Sequence, residues 1–271
     1  MRITKKKYFI NTNIDKEVTI VVLADVHYYS KRNIKKLNKV LNTVEKIKPN
    51  YICIPGDLMD SYYVNNEECV IDWIKRLSII SPVLISIGNH EFIAKKKSYN
   101  LELFSKIQLI NNCYVLDNES ISFENISFLG ITIPGEYFEQ KKDDSYIISN
   151  LKNINYNPNK YNIMLCHSPI DFYKEKIFNN LKFTKSCDLL ISGHMHGGIT
   201  PNILKPLLKG RGFIRPDGKL FANMCYGLYD NLGTKCIISS GVTKSSHTNK
   251  FEYLDFLFSP EVTVIKLRPK P

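Results

Sequence analysis

Residues 18–60 have the sequence VTIVVLADVHYYSKRNIKKLNKVLNTVEKIKPNYICIPGDLMD. The stretch begins with an apolar run of strand length at 18–24 and ends with another at 51–55. Between them, apolar residues recur at helical spacing within 31–48, on a segment otherwise rich in Lys and Asn. They are Ile34, Leu37, Leu41, Val44 and Ile47. This alternation of strand and helix is typical of an α/β sandwich.

The same alternation continues beyond residue 60. It predicts a second helix at 67–79, a strand at 82–87 and a hairpin within 114–133. Gly and Pro interrupt residues 199–235 without clear periodicity, so we expect a long irregular excursion there. Four further strands are predicted, at 163–166, 189–192, 236–240 and 262–267.

The composition is that of a folded globular protein. Hydrophobic residues make up 44% and charged residues 23% of the 271 positions, which excludes a disordered, collagen-like or fibrous chain. This length can bury one sizeable core. We therefore expect a single domain over residues 1–271, with a motif-bearing core at about 17–200 and an excursion with closing strands at 201–271.

The cysteines and the apolar runs indicate the cellular compartment of the protein. The seven cysteines are odd in number, form no CxxC and lie mostly in apolar runs, so we expect reduced core residues. No apolar stretch approaches the roughly 20 residues of a membrane-spanning helix, and the first residues lack the apolar centre of a signal peptide. We expect a cytoplasmic protein in a reducing compartment.

Five polar clusters directly follow predicted strands, and they contain five of the six histidines. Because open α/β sheets bind their ligands at strand ends, we expect these clusters to meet in one site. The clusters are Asp25 and His27; Gly56, Asp57 and Asp60; Gly88, Asn89, His90 and Glu91; His167; and His194 and His196 within GHMHGG at 193–198.

Each cluster is a weak signal alone, since Asp-x-His after a strand is more often a capped turn than a ligand pair. Together they supply two carboxylates, four imidazoles and one amide oxygen, without a thiolate. That donor set suits manganese, iron, zinc or cobalt. Seven ligands are too many for one ion but suit two ions that share a carboxylate, so we expect two divalent metal ions.

In order and spacing, these motifs resemble the calcineurin-like metallophosphoesterase superfamily: D-x-H at 25–27, GDLMD at 56–60, GNHE at 88–91, His167 before Ser-Pro, and GHMHGG at 193–198. The resemblance implies a four-layer αββα sandwich, in which two mixed sheets are flanked by helices. It also implies that His90 stands beside the metals and stabilises or protonates the departing oxygen. The implied ligands are Asp25, His27 and His196 for one ion, Asn89, His167 and His194 for the other, and Asp57 as the bridge.

The implied activity is hydrolysis of a phosphate ester by a hydroxide that bridges the two metals. A phosphodiester, either a small molecule or lipid-linked, is the favoured substrate, and a phosphomonoester is the alternative. The net charge of +11 favours an anionic partner, so a nuclease that uses the same site is a second alternative. Against a nuclease, no basic patch interleaved with aromatic residues is long enough to follow a nucleic-acid backbone. A non-catalytic scaffold is disfavoured because every ligand position is filled.

Several residues near the motifs have two interpretations. Asp60 and Glu91 either orient ligand histidines or are solvated turn residues. His247 lies outside every motif and is interpreted as a surface loop residue. Tight strand-end turns are expected at four glycines, Gly56, Gly88, Gly193 and Gly197.

The segment after GHMHGG is similar to a bacterial branch of the superfamily whose members act at membranes or the cell envelope. Residues 203–215, ILKPLLKGRGFIR, interleave apolar with basic side chains. If these apolar and basic side chains are exposed, they would suit peripheral contact with an anionic membrane. The slightly favoured expectation is that the leucines pack into the core while the basic residues face water.

Overall fold

Two mixed sheets of six strands each form the centre of the fold. The structure is a computed structural model that describes residues 2–28, 34–60, 67–91, 100–133, 145–169, 187–216, 218–231, 233–243 and 258–270. The first sheet has the order β1-β12-β2-β3-β4-β5 and the second β10-β11-β9-β8-β7-β6. The first comprises β1 Thr4–Thr12, β2 Val18–Val22, β3 Tyr51–Pro55, β4 Val83–Ser86, β5 Cys113–Val115 and β12 Glu261–Pro269. The second comprises β6 Ser120–Ser122, β7 Ile126–Ile131, β8 Tyr161–Cys166, β9 Leu189–Ser192, β10 Gly227–Asn231 and β11 Thr234–Ile238.

Helices α1 and α2 pack on the outer face of the first sheet. On α1 the buried residues Leu37, Val40, Leu41 and Val44 lie on one stripe, because three- and four-residue spacing places side chains on the same face of a helix. The amphipathic pattern predicted for this segment is therefore confirmed. The helices are α1 Ile34–Ile47, α2 Glu67–Ile80, α3 Asn100–Gln108, α4 Ser145–Asn153 and α5 Lys205–Leu208.

Alternation along the strands divides the apolar residues between layers. In β2, Val21 joins the core beneath the helices, whereas Ile20 joins the layer between the two sheets. The second sheet contributes Phe128 and Leu165 to that middle layer. Side chains of successive strand residues point to opposite faces, so strands buried on both faces appear as continuous apolar runs in the sequence.

The outer face of the second sheet carries a third apolar cluster. Met164 and Leu190 pack there against Cys225 and Tyr226, which come from the segment expected to be an irregular excursion. Helix α4 also lies on this side, where Ile148 and Leu151 are packed against the cluster. The predicted arrangement of two mixed sheets with flanking helices is confirmed.

The predicted strands, and the second predicted helix, agree with the structure to within two residues at each end. The hairpin prediction is also confirmed, because β6 and β7 pair antiparallel with Ser122 opposite Ser127. The prediction of a wholly irregular excursion is wrong: it contains α5 and β10, and β10 pairs antiparallel with β11. The favoured burial of its leucines is wrong for Leu207, which is 77% exposed, whereas Leu204 and Leu208 are half-buried. Ile203 is also exposed, at 82%.

All seven cysteines are free, and six of them are buried, as expected for core residues.

Strands β2, β3, β4 and β5 run parallel, as do β7, β8, β9 and β11. The carboxyl ends within each group therefore meet at one edge of their sheet. Among the described residues, no helix combines the length and the apolar character needed to cross a bilayer.

Candidate metal centre

The five predicted clusters meet where the carboxyl ends of the two groups of parallel strands come together. Asp57, just after β3 of the first sheet, lies against His167, just after β8 of the second, with 3.0 Å between Oδ2 and Nε2. His194 follows β9 and places its Nδ1 atom 3.2 Å from the Nε2 atom of His167. Apart from Asn89 and His196, which are half-buried, all the predicted ligands are buried. The centre is thus formed by side chains of both sheets.

Within the part of the chain that the structure describes, the candidate ligand atoms form three overlapping groups. Within each group, one ligand atom from every residue lies within 4.8 Å of the others. Asp57 is shared by two groups and His27 by two. The groups are Asp25, His27 and His196; His27, Asp57 and His90; and Asp57, His167 and His194.

Several buried polar atoms in this centre have no hydrogen-bond partner among the described residues. They include Oδ2 of Asp25, both ring nitrogens of His27 and Oδ1 of Asn89. A buried polar atom without a partner is costly, and most such atoms are paired in folded proteins. Oxygen and nitrogen donors without a thiolate suit divalent transition metals. The residues present therefore fit metal binding.

Backbone carbonyls orient two of the histidine rings. Nδ1 of His167 lies 2.9 Å from the carbonyl oxygen of Pro55, and Nδ1 of His196 lies 3.1 Å from that of Thr243. A ring nitrogen in this position donates its hydrogen to the carbonyl, so Nε2 is directed into the centre. Such hydrogen bonds fix the ring orientation of metal-binding histidines in proteins.

The backbone is strained at most of the predicted ligands. Five of them have positive φ: Asp25 (50°), His27 (45°), Asp57 (53°), His194 (66°) and His196 (47°). Residues other than glycine rarely adopt this left-handed conformation, and each costs on the order of 1–3 kcal/mol. Such strain clusters at functional sites, because the surrounding fold holds side chains in directions that relaxed backbone would not give.

Glycine is required at two of the four predicted turn positions for different reasons. Gly56 has φ of 81°, and a Cβ atom there would lie 2.7 Å from Nδ1 of His167. A Cβ atom on Gly88 would collide with the carboxylate and backbone nitrogen of Asp57. The loops after β3 and β4 can therefore approach each other only because both positions lack side chains.

Burial and charge set the protonation of the candidate ligands. Burial lowers the pKa of His27 and His194 well below the usual value, so both rings are neutral, as metal binding requires. Burial raises the pKa of Asp57, but the nearby His167 and His90 outweigh this effect and hold it well below its usual range. Asp57 is therefore ionised and negatively charged at the middle of the centre.

His90 lies beside the ligands with a carboxylate on each side of its ring. Its Nε2 atom is 3.9 Å from Oδ2 of Asp57, and its Nδ1 atom is 3.8 Å from Oδ1 of Asp60. Burial lowers the pKa of His90, but these two carboxylates outweigh burial and raise it to about 9. The ring therefore carries a proton at neutral pH in the absence of metal.

Asp60 and Glu91 are buried, so neither is a solvated turn residue. Glu91 accepts backbone hydrogen bonds from Asp57 (3.0 Å), Met59 (3.1 Å) and Gly88 (2.6 Å). It joins the ends of β3 and β4, and burial together with the charge of Asp57 raises its pKa to about 7.

Thr243, after β11, is a site residue that the sequence interpretation missed. Its carbonyl orients His196, and its hydroxyl donates to the carbonyl of Val26, between Asp25 and His27. The available signal was the polar cluster SSGVT at 239–243, which follows a strand as the other clusters do. His247 lies outside the described residues.

Comparisons with known proteins identify relatives of this chain. An uncharacterized metallophosphoesterase of Helicobacter pylori strain J99 is 26% identical over 259 residues, covering 95% of this chain and 61% of the relative. The chain thus spans less than two thirds of that relative's length. Metallophosphoesterase YkuE of Bacillus subtilis is 23% identical, covering 92% of this chain and 78% of the relative.

Among solved structures, a dimetal phosphatase from Danio rerio is 16% identical with a TM-score of 0.46, covering 84% of this chain and 88% of that one. The family model for calcineurin-like phosphoesterases matches residues 18–198, which include every predicted ligand. This chain therefore belongs to the calcineurin-like phosphoesterase family.

Proposed function

We propose that the protein is a di-metal phosphoesterase that hydrolyses a phosphodiester. The observation that carries this proposal is the position of Asp57, a buried and ionised carboxylate whose Oδ2 atom lies 3.5 Å from Nε2 of His27 and 3.0 Å from Nε2 of His167. One carboxylate between two sets of histidines matches the need of two cations for a common anionic ligand.

The chain's own residues divide into two ligand sets around that carboxylate. Asn89 completes the second set through Oδ1, which has no hydrogen-bond partner among the described residues. Two divalent cations bound there would polarise the phosphoryl oxygens and make hydroxide available at neutral pH. The sets are Asp25, His27 and His196 for one ion, and Asn89, His167 and His194 for the other, with Asp57 common to both.

His90 donates a proton to the departing oxygen in this proposal. The proton is held on the ring by Asp57 and Asp60, and the pKa of about 9 keeps it there at neutral pH. Nearby cations would lower this pKa towards neutrality, where a general acid works best. Asp60 contacts Nδ1 of His90 and thereby directs Nε2 towards the centre.

A phosphodiester is the proposed substrate class, and the surroundings of the centre suit the organic part of a phosphate ester. Ile199, the last residue of the 3-10 turn His196–Ile199, is 42% exposed, and the N–H of Ile214 donates to the carbonyl of Gly198 in the same turn. Apolar groups at this position suit an organic substituent beyond the phosphate, either in a small molecule or in a lipid-linked substrate. The net charge of +11 favours the anionic ester itself.

Two further proposals concern the chain as a whole. Strand β12 lies between β1 and β2 in the first sheet, which supports one metallophosphoesterase domain over residues 1–271. The seven free cysteines support a reducing, cytoplasmic location.

The test is hydrolysis of bis-p-nitrophenyl phosphate and p-nitrophenyl phosphate by manganese-supplemented protein. We expect the diester to be cleaved faster, and Asp57→Asn to lose nearly all activity. Asp72→Asn, the same change at an exposed position of α2, is the matched control and should retain activity. Faster cleavage of the monoester would replace the diester proposal, and equal activity in both variants would place the chemistry elsewhere.

A further inference from the structure

Six large apolar side chains are exposed among the described residues of 199–221, the segment that follows the metal centre. Ile203 and Leu207 are the most exposed, at 82% and 77%. Ile203 lies two residues before α5, and Leu207 is the third residue of this helix. Ile214, Leu220 and Phe221 are 41%, 62% and 67% exposed. We call the set the apolar surface: Ile199, Ile203, Leu207, Ile214, Leu220 and Phe221.

Backbone hydrogen bonds hold the parts of this surface together. Ile214 forms a bridge with Leu220, so these two exposed residues lie side by side on a short antiparallel ladder. The N–H of Ile214 donates to the carbonyl of Gly198, which places this ladder against Ile199. Asn202, beside Ile203, donates to the hydroxyl of Thr4 at the start of β1. The exposed residues thus belong to one ordered region.

Positive charge accompanies the apolar surface. Residues 199–229 contain five basic residues and one acidic residue. Lys209, Arg211 and Lys219 are exposed, and Lys5 and Lys7 are exposed on the neighbouring edge strand β1. Exposed apolar surface in a soluble protein marks an interaction site, and a partner for this region must also carry negative charge.

We propose that the apolar surface docks on an anionic lipid bilayer. Isoleucine, leucine and phenylalanine side chains would enter the boundary between headgroups and acyl chains, while lysine and arginine contact the phosphates. A protein partner would have to be both apolar and acidic, whereas an anionic bilayer supplies both properties at one surface. The charge complementarity therefore favours the bilayer.

The docked orientation would bring the metal centre to the membrane. Ile199 is three residues from His196 in the same 3-10 turn, His196–Ile199. A lipid-linked phosphodiester could then reach the centre without leaving the bilayer. Binding itself does not depend on the proposed catalytic function, so the two can fail separately.

The first test is sedimentation with vesicles of phosphatidylglycerol and phosphatidylcholine at equal amounts, compared with phosphatidylcholine alone. We expect binding to the anionic vesicles and at least about tenfold weaker partition for Ile203→Ser/Leu207→Ser. The matched control is Ile79→Ser/Leu109→Ser, which removes two side chains that are 84% and 86% exposed elsewhere. The control should bind like the wild type. Both double variants should hydrolyse the soluble nitrophenyl substrate at the wild-type rate.

The second test reverses charge. Each basic residue near an anionic surface contributes roughly a fivefold change in partition, so Lys209→Glu/Arg211→Glu should weaken binding by at least about tenfold. Lys75→Glu, at an exposed position of α2, should leave vesicle binding unchanged.

Equal binding to both vesicle types, or equal binding by surface and control variants, would overturn the proposal. Absence of vesicle binding would also overturn it, and concentration-dependent dimers lost in Ile203→Ser/Leu207→Ser would assign the surface to a second copy of the chain.

Discussion

Glu91 contributes to the centre through backbone contacts. Its two carboxylate oxygens accept hydrogen bonds from three backbone N–H groups, on Asp57, Met59 and Gly88. Those groups belong to the loops after β3 and β4, which carry Asp57 and Asn89. The position of the Asp57 carboxylate therefore depends on Glu91, which is not itself a candidate metal ligand.

Glu91→Gln should destabilise the protein, because glutamine has one acceptor oxygen and adds a donor where three backbone donors converge. Leaving buried donors unpaired costs about 1–3 kcal/mol, so we expect the free energy of unfolding to fall by roughly 2 kcal/mol. Urea denaturation measures this change. Glu68→Gln, at an exposed position of α2, should change it by less than about 0.5 kcal/mol. Equal effects of the two variants would show that these hydrogen bonds do not hold the loops.

His90→Ala should lower turnover in a way that depends on the leaving group. General-acid catalysis is worth about a hundredfold or more for a poor leaving group such as an alkoxide. For p-nitrophenolate, which leaves without protonation, we expect a much smaller loss. Comparing kcat for an alkyl and a nitrophenyl ester in both proteins measures this. The same loss on both esters would contradict the role of proton donor.

At the scale of residues, the sequence predicted the groups that present polar atoms to the centre, and it offered Asp60 and Glu91 as positioning residues, but it did not predict the residues that act through their backbone. Carboxylates and imidazoles after strands are visible as motifs because their chemistry requires particular residue types. Pro55 and Thr243 act through backbone carbonyls, which every residue possesses. No residue type identifies such a role, so it becomes visible only in three dimensions.

Among the elements, α5 is attached to the first sheet by a buried ion pair. Nζ of Lys205 lies 3.4 Å from Oε2 of Glu261 at the start of β12, and 2.7 Å from the hydroxyl of Ser240. The Lys205 and Glu261 side chains are only 12% and 6% exposed. This pair connects the segment that carries the apolar surface to the strands beneath the metal centre.

Lys205→Met should therefore destabilise the protein by about 3 kcal/mol, since removal of one partner leaves a buried charge uncompensated. The pair between Lys266 and Glu17 is shorter, at 2.7 Å, but its side chains are 32% and 42% exposed. Lys266→Met should cost less than about 1 kcal/mol, because water screens exposed pairs. Thermal or urea unfolding of both variants measures the difference. A larger loss for Lys266→Met would contradict this explanation.

Apolar runs and helical periods predicted most strands and the helices α1 and α2, but β1, β10 and the short helices α3, α4 and α5 were missed. In β1 the lysines at positions 5–7 are all exposed, so only Ile10 and Thr12 at its end show buried alternation. β10 lies within a region punctuated by glycines, and among the described strands it is an edge strand that pairs only with β11. Edge strands carry a weaker apolar pattern because one side faces water, so tertiary pairing defines them.

For the whole molecule, metal binding should contribute to stability. Most of the candidate ligands are buried, several have strained backbone, and polar atoms of Asp25, His27 and Asn89 have no partner among the described residues. At a free metal concentration about 1,000 times Kd, binding stabilises a protein by about 4 kcal/mol. Chelation should then lower Tm by roughly 10 °C.

Calorimetry before and after chelation, with manganese restored afterwards, checks this expectation. His196→Ala should show a smaller difference between the two states, because one ligand set has lost a member. An unchanged Tm after demonstrated loss of metal would mean that the fold does not depend on the centre.

Sheet order and the joining of the two sheets at one edge are also properties of the whole molecule. β12 inserts between β1 and β2, which come from the other end of the chain. Local sequence patterns contain no signal for a pairing between strands so far apart in the chain. The convergence of strand ends was predictable, because parallel strands of α/β sheets share their carboxyl edge.

The most direct test of the central claim is the metal content of purified protein by mass spectrometry, after growth with manganese, iron and zinc. We predict two ions per chain in the wild type, marked loss of both in Asp57→Asn, and two ions retained in His90→Ala. One ion per chain in the wild type, or equal loss of metal in the two variants, would contradict a two-metal centre in which Asp57 is shared and His90 is not a ligand.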